Sequence, residues 1–172
     1  MKKLVFSFFA LLITFSLIAQ TAKNKSIKER ILELENKAAL KDLVDTFSIL
    51  ADQKDAQSQT FLFTENALVE TYSNGVLSTK LEGRKQIGET FGNFLNLFKT
   101  VYHFNGQHSI VINGNKASGT LYCLTTLISN DNVKTTFGIH YNDEYVLEKG
   151  KWLIAKRTSN FDWTDVSPLG VR

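Results

Sequence analysis

One cysteine, Cys123, and one proline, Pro168, stand among 172 residues. A single thiol excludes an intramolecular disulfide, so stability has to come from a packed core, and the chain is long enough to build one. Cys123 lies in "LYCLTT" with no flanking charge, which reads as a small buried residue rather than a nucleophile. Histidine is scarce as well: His103, His108 and His140 are the whole supply. Charge of one sign never accumulates, because 20 basic and 17 acidic residues leave a net +3 with the lysines scattered. Such a surface has no field to gather nucleic acid or an anionic membrane. Repeats, low-complexity tracts and linkers are also missing, which points to a single domain.

The long apolar run is at the start. "MKKLVFSFFALLITFSLIAQ" opens on Lys2 and Lys3, runs apolar from Leu4 to Ile18, and reaches Ala19 beside Gln20. Interrupted by Ser7, Thr14 and Ser16, the run is too short for a good membrane span and reads as an export signal cleaved after Ala19. No cysteine follows it to accept a lipid. The expected division is a signal at 1–19, a polar lead at 20–25, one α+β domain at 26–165 and a tail at 166–172. The mature protein is expected in the periplasm or outside the cell, with no membrane partner.

Ser26 to Glu29 has the form of a capping box, and Ile27, Ile31, Leu34, Leu40, Leu43, Val44, Phe47 and Leu50 follow at helical spacing. The first helix is expected to end near Asp52. "DAQSQTFLFT" reads as a short second helix with Phe61 and Leu62 turned inward. Asn74-Gly75 marks a tight hairpin. Gly83 to Phe98 reads as an amphipathic helix carrying Ile87, Phe91, Phe94, Leu95 and Phe98 on one face. Four strands follow, joined at Asn113-Gly114-Asn115, at "SNDN" and at Lys149-Gly150. The order α-α-β-β-α-β-β-β-β predicts helices on one face of a curved antiparallel sheet.

Four segments in this order, "LADQKD", "LEGRKQIGETF", "HFNGQHSIVINGNKASG" and "YNDEYVLEKGKWLIAKR", resemble the SnoaL-like branch of the nuclear transport factor 2-like superfamily. The similarity is to the subset that holds scytalone dehydratase and bile-acid dehydratases. It implies a conical α+β roll around an apolar pocket, with homodimers common. In the dehydratase-like members an aspartate ending the first helix pairs with a histidine opening the third strand, and Asp52 and His103 match those positions. A carboxylate on one imidazole nitrogen fixes the tautomer, and the other nitrogen can then move a proton beside a carbonyl or a leaving hydroxyl. The family's helix tyrosine is Phe47 here, and Leu124 to Leu127 offers Thr125 and Thr126 where a second titratable group often stands.

Each candidate also has a plain structural reading. His103 is either a pocket base or a strand-start histidine bonded to backbone. Asp52 groups on the helical wheel with Asp45 and Ser48, which periodicity alone assigns to solvent. Strict alternation puts His103 and His108 on opposite faces, but a bulge at Gly106 would reset that parity. His108 is expected at a rim or in a structural role. A zinc site through this pair has the wrong spacing and no third ligand. His140 faces either the cavity or solvent. Arg157, placed by alternation with Leu153 and Ala155 and opposite Trp152 and Ile154, is an anion anchor or a salt-bridge partner of Asp143. Phe47, Phe91, Phe94, Tyr72, Asn105, Tyr122 and Thr125 complete the expected pocket lining.

Together these residues predict a protein that takes up a small hydrophobic molecule. Its chemistry would be that of a lyase or isomerase, with His103 as acid–base, Asp52 as its orienter, and Tyr72 or His140 on a substrate oxygen. No cofactor is implied. The competing expectation is a non-catalytic binding module with the same pocket, which Phe47 and the Thr125-Thr126 segment favour.

Overall fold

The computed structural model describes residues 25–170. The expected export signal and most of the polar lead lie outside them. Helix α1 (Ile27–Asp52) is followed by α2 (Ala56–Thr60), β1 (Phe63–Ser73), β2 (Val76–Glu82), α3 (Gly83–Leu95), β3 (Phe98–Asn113), β4 (Lys116–Ser129), β5 (Val133–Glu148) and β6 (Lys151–Pro168). No described helix is long and apolar enough to cross a membrane.

Two compact units divide the chain at Glu35 and Asn36. In the first, the capping box forms as expected: the Ser26 amide donates to Glu29 Oε2 at 2.7 Å and the Glu29 amide to Ser26 Oγ at 3.2 Å. Two orphan donors at the helix start are thereby satisfied.

The second unit is the α+β fold. Its six strands form one curved sheet in the order β2-β1-β6-β5-β4-β3. Every neighbouring pair is antiparallel except β1 and β6, which run parallel, so the sheet is mixed where a wholly antiparallel one was expected. The β1–β2 turn has Asn74 at φ 51° and Gly75 at φ 75°, the pair of positive values that a two-residue hairpin of the right twist requires. Leu40, Val44 and Phe47 of α1 pack onto Phe63, Val69, Leu121, Ile139 and Ile154 of the sheet. Leu40 has no exposed surface, and truncating such a residue costs about 2–5 kcal/mol. Ala51, Ala56, Leu95, Val101 and Leu127 form a second cluster.

Four local expectations are corrected. Helix α3 ends at Leu95 and Phe98 already belongs to β3, so the helical spacing of Phe98 was fortuitous. Strand β3 begins ten residues before the "HSIVI" segment, because Phe98 to Asn105 pair with Ser129 to Cys123. Phe61 is 60 % exposed rather than buried: the chain leaves α2 in a turn, and it is Phe63 that reaches the core. Strand β6 continues to Pro168, into the expected tail, where Val166, Ser167 and Pro168 pair with Thr135, Lys134 and Val133.

Candidate functional site

Between α1, α3 and the inner face of the sheet lies a cavity of about 240 Å³. Its wall is mostly apolar, with Phe47, Phe91, Phe94, Leu127, Phe137 and Phe161 among the lining residues, and Gln59, His103, Thr125, Tyr141, Arg157 and Ser159 supplying polar groups. Phe47, Phe63 and Phe91 meet edge to face at 5.9–6.3 Å, which stiffens one side.

His103 stands on β3, opposite Thr125 of β4. Its Nδ1 meets Asp52 Oδ1 at 2.7 Å, with the imidazole 8 % and the carboxylate 28 % exposed. A carboxylate only accepts, so Nδ1 carries the proton of this bond and Nε2 is the ring nitrogen left for other partners. Nε2 itself has no hydrogen-bond partner among the described residues. Asp52 stands behind the ring, outside the cavity lining.

The wheel assignment of Asp52 to solvent is overturned, and its neighbours give the reason. Asp45, Ser48 and Asp52 form a polar stripe along α1, and this stripe faces a polar stripe on β3. Asn105 Nδ2 donates to Asp45 Oδ1 at 3.0 Å, and Ser48 Oγ donates to Asn105 Oδ1 at 3.1 Å. Lys41 also bonds Asp45; burial pushes the Asp45 carboxyl up, but the bonds from Lys41 and Asn105 outweigh it and hold the group below its ordinary value. A polar stripe on a helix can thus face a matching stripe instead of water.

A bulge brings the strand's own residues into line. Asn105 pairs with Cys123 and His108 with Leu121, so β3 carries one more residue than β4 across this step, and the bulge that the sequence left open at Gly106 is present. His103, Asn105 and His108 therefore share the inner face. Asn105 braces α1 and does not line the cavity.

Arg157 departs from its expected face for a related reason. Asp143 pairs with Arg157 and Tyr145 with Ile154, so β6 holds an extra residue in between. Arg157 consequently joins Trp152 and Ile154 on the buried side, not Leu153 and Ala155. Its Nε and Nη2 donate to the two oxygens of Asp143 at 2.9 and 2.7 Å, with the two side chains 1 % and 0 % exposed. Burial works against the guanidinium charge, but the Asp143 carboxylate outweighs it and holds the group above its ordinary value. The rings of Phe47 and Tyr141 sandwich the guanidinium at 4.3 and 4.4 Å. Nη1 is buried without a partner among the described residues. Tyr145 donates to Asp143 and meets His108 Nε2 at 3.2 Å, which gives His108 a structural role at the far end of this network.

Besides Asn105, three expected lining residues lie elsewhere. Tyr72 pairs with Asn160 one position beyond the cavity-lining Thr71 and Ser159, so it points to the outer face. Tyr122 and His140 pair with each other on that outer face, and His140 is bonded to Asp162 at 2.6 Å. Phe47, Phe91, Phe94, Thr125 and Arg157 do line the cavity. Gln59, also in the wall, carried no sequence signal, because the short helix "AQSQT" is polar on every side and nothing local singles out one of its two glutamines. Among the described residues no three His, Cys, Asp or Glu gather as metal ligands.

Solved structures share this fold at low sequence identity. A provisionally named scytalone dehydratase from Novosphingobium aromaticivorans DSM 12444 superposes with a TM-score of 0.69 at 20 % identity, over 81 % of this chain and 91 % of that one. A hexachlorocyclohexane dehydrochlorinase from Novosphingobium barchaimii LL02 gives 0.69 at 16 % identity, over 81 % and 97 %. A nuclear transport factor 2-like protein with a cystatin-like fold, also from N. aromaticivorans, gives 0.66 at 16 %, over 83 % and 92 %. Among curated proteins none matches the sequence. Residues 32–158 match the SnoaL-like domain across most of the chain, and the protein belongs to that family.

Proposed function

We propose that the protein takes a small hydrophobic ring compound into the cavity and acts on it as a cofactor-independent lyase or isomerase. The observation that carries this reading is the 2.7 Å contact between His103 Nδ1 and Asp52 Oδ1 at the wall of an apolar cavity. In that arrangement Asp52 orients the ring and fixes its tautomer. His103 Nε2 removes a proton from the ligand and returns it to a leaving group or to a neighbouring carbon. The Asp143 carboxylate neutralises Arg157, so the spare Nη1–H suits a neutral acceptor oxygen better than a full anion. That donor would stabilise charge building up on such an oxygen.

A binding module without chemistry is the second reading. It is favoured by Thr125, buried opposite His103 and unable to titrate, and by Phe47, which spends its ring on packing. Turnover separates the two. In a screen of cyclic hydroxy ketones and halogenated rings, His103→Ala is expected to cut turnover by about a hundred-fold or more. A screen with no turnover, in a protein that still binds, would leave only the module.

Two further features belong to the proposal. The protein is exported by its N-terminal segment, which cell fractionation tests. It also pairs with a second copy through the outer face of the sheet, where Tyr102, Phe104, Tyr122, Leu124 and Trp163 are exposed. Phe104→Glu should then convert a dimer into a monomer in sedimentation.

A further inference from the structure

We infer that Gln59 determines ligand specificity, its side-chain oxygen accepting a hydrogen bond from a hydroxyl or N–H on the molecule in the cavity. This rests on the pocket reading above and goes on to name a chemical group that the ligand must carry.

Gln59 lies on α2, is 1 % exposed and lines the cavity. Its Nε2 donates to the backbone carbonyl of Phe47 at 2.9 Å. That bond settles which way the amide is turned, since a carbonyl oxygen can receive only the NH2 end. Oε1 is then the unspent end of the amide on a cavity-lining residue, and it is buried with no partner among the described residues. Buried side-chain acceptors are nearly always bonded, so an unspent one on a cavity wall, held in place from behind, calls for a partner from within the cavity.

The chemistry of that partner follows from the amide. Its oxygen only accepts, and the tether prevents the NH2 end from being exchanged into the cavity. A ligand with an ether or carbonyl at this point would set lone pair against lone pair and leave both buried without a bond. Gln59 therefore selects for a donor and rejects its acceptor-only counterpart. Arg157 Nη1, a buried donor without a partner on the same wall, is of the opposite kind. Ligands with one donor and one acceptor on an apolar frame match both atoms.

Cavity size sets the probe. An engineered apolar cavity of about 150 Å³ holds benzene, so about 240 Å³ suits a two-ring frame. Calorimetry compares the two naphthol isomers, the matching methoxynaphthalenes and naphthalene against the wild-type protein, Gln59→Met, Gln59→Leu and His103→Phe. For the wild type, at least one naphthol should bind about ten-fold or more tighter than its methoxy counterpart and naphthalene. That margin should vanish in both Gln59 variants, while naphthalene affinity stays within about three-fold, and it should persist in His103→Phe. The comparison of ligands on the wild type needs no variant to fold. Naphthalene binding with no naphthol margin, or a margin lost in His103→Phe and kept in Gln59→Met, overturns the role of Gln59 and leaves the pocket standing. Failure of every probe to bind overturns both.

Discussion

Trp163 lies across Gly138 so closely that a Cβ at that glycine would come within 2.1 Å of the indole Nε1. The two residues are paired between β5 and β6, and the indole occupies the space that any other residue would fill. Gly138→Ala must displace the ring. We expect the tryptophan emission to change as the half-exposed Trp163 indole is pushed off the sheet, with a stability loss of about 1–3 kcal/mol in urea unfolding. Unchanged emission would contradict the packing.

The Arg157–Asp143 pair is a second site of high sensitivity. Both side chains are essentially unexposed, so removing one leaves the other charged and alone. Asp143→Asn should lower unfolding free energy by about 3–5 kcal/mol. Replacing both partners with apolar residues should cost less than the single change. The comparison is made by denaturant titration of the three proteins.

His108 predicts a pH effect. Burial pushes its pKa below the ordinary value, with Lys41 and Arg157 acting in the same direction and the Asp143 and Asp45 carboxylates opposing them. A histidine depressed in the folded state holds fewer protons there than in the unfolded chain. Its contribution is complete above the unfolded value of about 6.5 and is lost as pH falls through the folded one. The melting temperature should therefore drop on acidification below about pH 6.5, and less steeply in His108→Gln. Parallel profiles for the two proteins would show that His108 is not the source.

Cys123 should be inert. It is buried, and burial pushes its thiol up, away from the reactive thiolate. Iodoacetamide at neutral pH should modify it only after guanidinium unfolding. Rapid labelling of the folded protein would mean that the sheet opens locally.

The sequence made much of this architecture readable, because the signals involved are local. Asn74-Gly75 can be recognised without knowing its surroundings, since few other residues accept two positive φ values in succession. The Ser26–Glu29 cap is likewise contained within one turn. Side-chain facing along the long strands was less accessible. Alternation counts correctly only until a bulge, and the bulge is fixed by the neighbouring strand. Gly106 marked where one such step could fall, but only the pairing with β4 decides the faces of His103 and His108. The step before Arg157 fell at Ala155-Lys156, with no glycine to mark it, so Arg157 was assigned to the wrong side. Asp52 was misjudged by the wheel because its partner lies 51 positions away on β3.

The parallel joint between β1 and β6 has a consequence for how the molecule assembles. Strands β3 to β6 are consecutive hairpins and can zip up from neighbouring residues. Strands β1 and β6 instead pair across most of the domain's length, so a long intervening segment has to be closed to bring them together. Val69 and Thr71 of β1, with Thr79 and Leu81 of β2, line the cavity, so the chamber is complete only once this long-range pairing is made. A guest that occupies it would touch β1, β2 and β6 together, acting as a latch on the finished molecule.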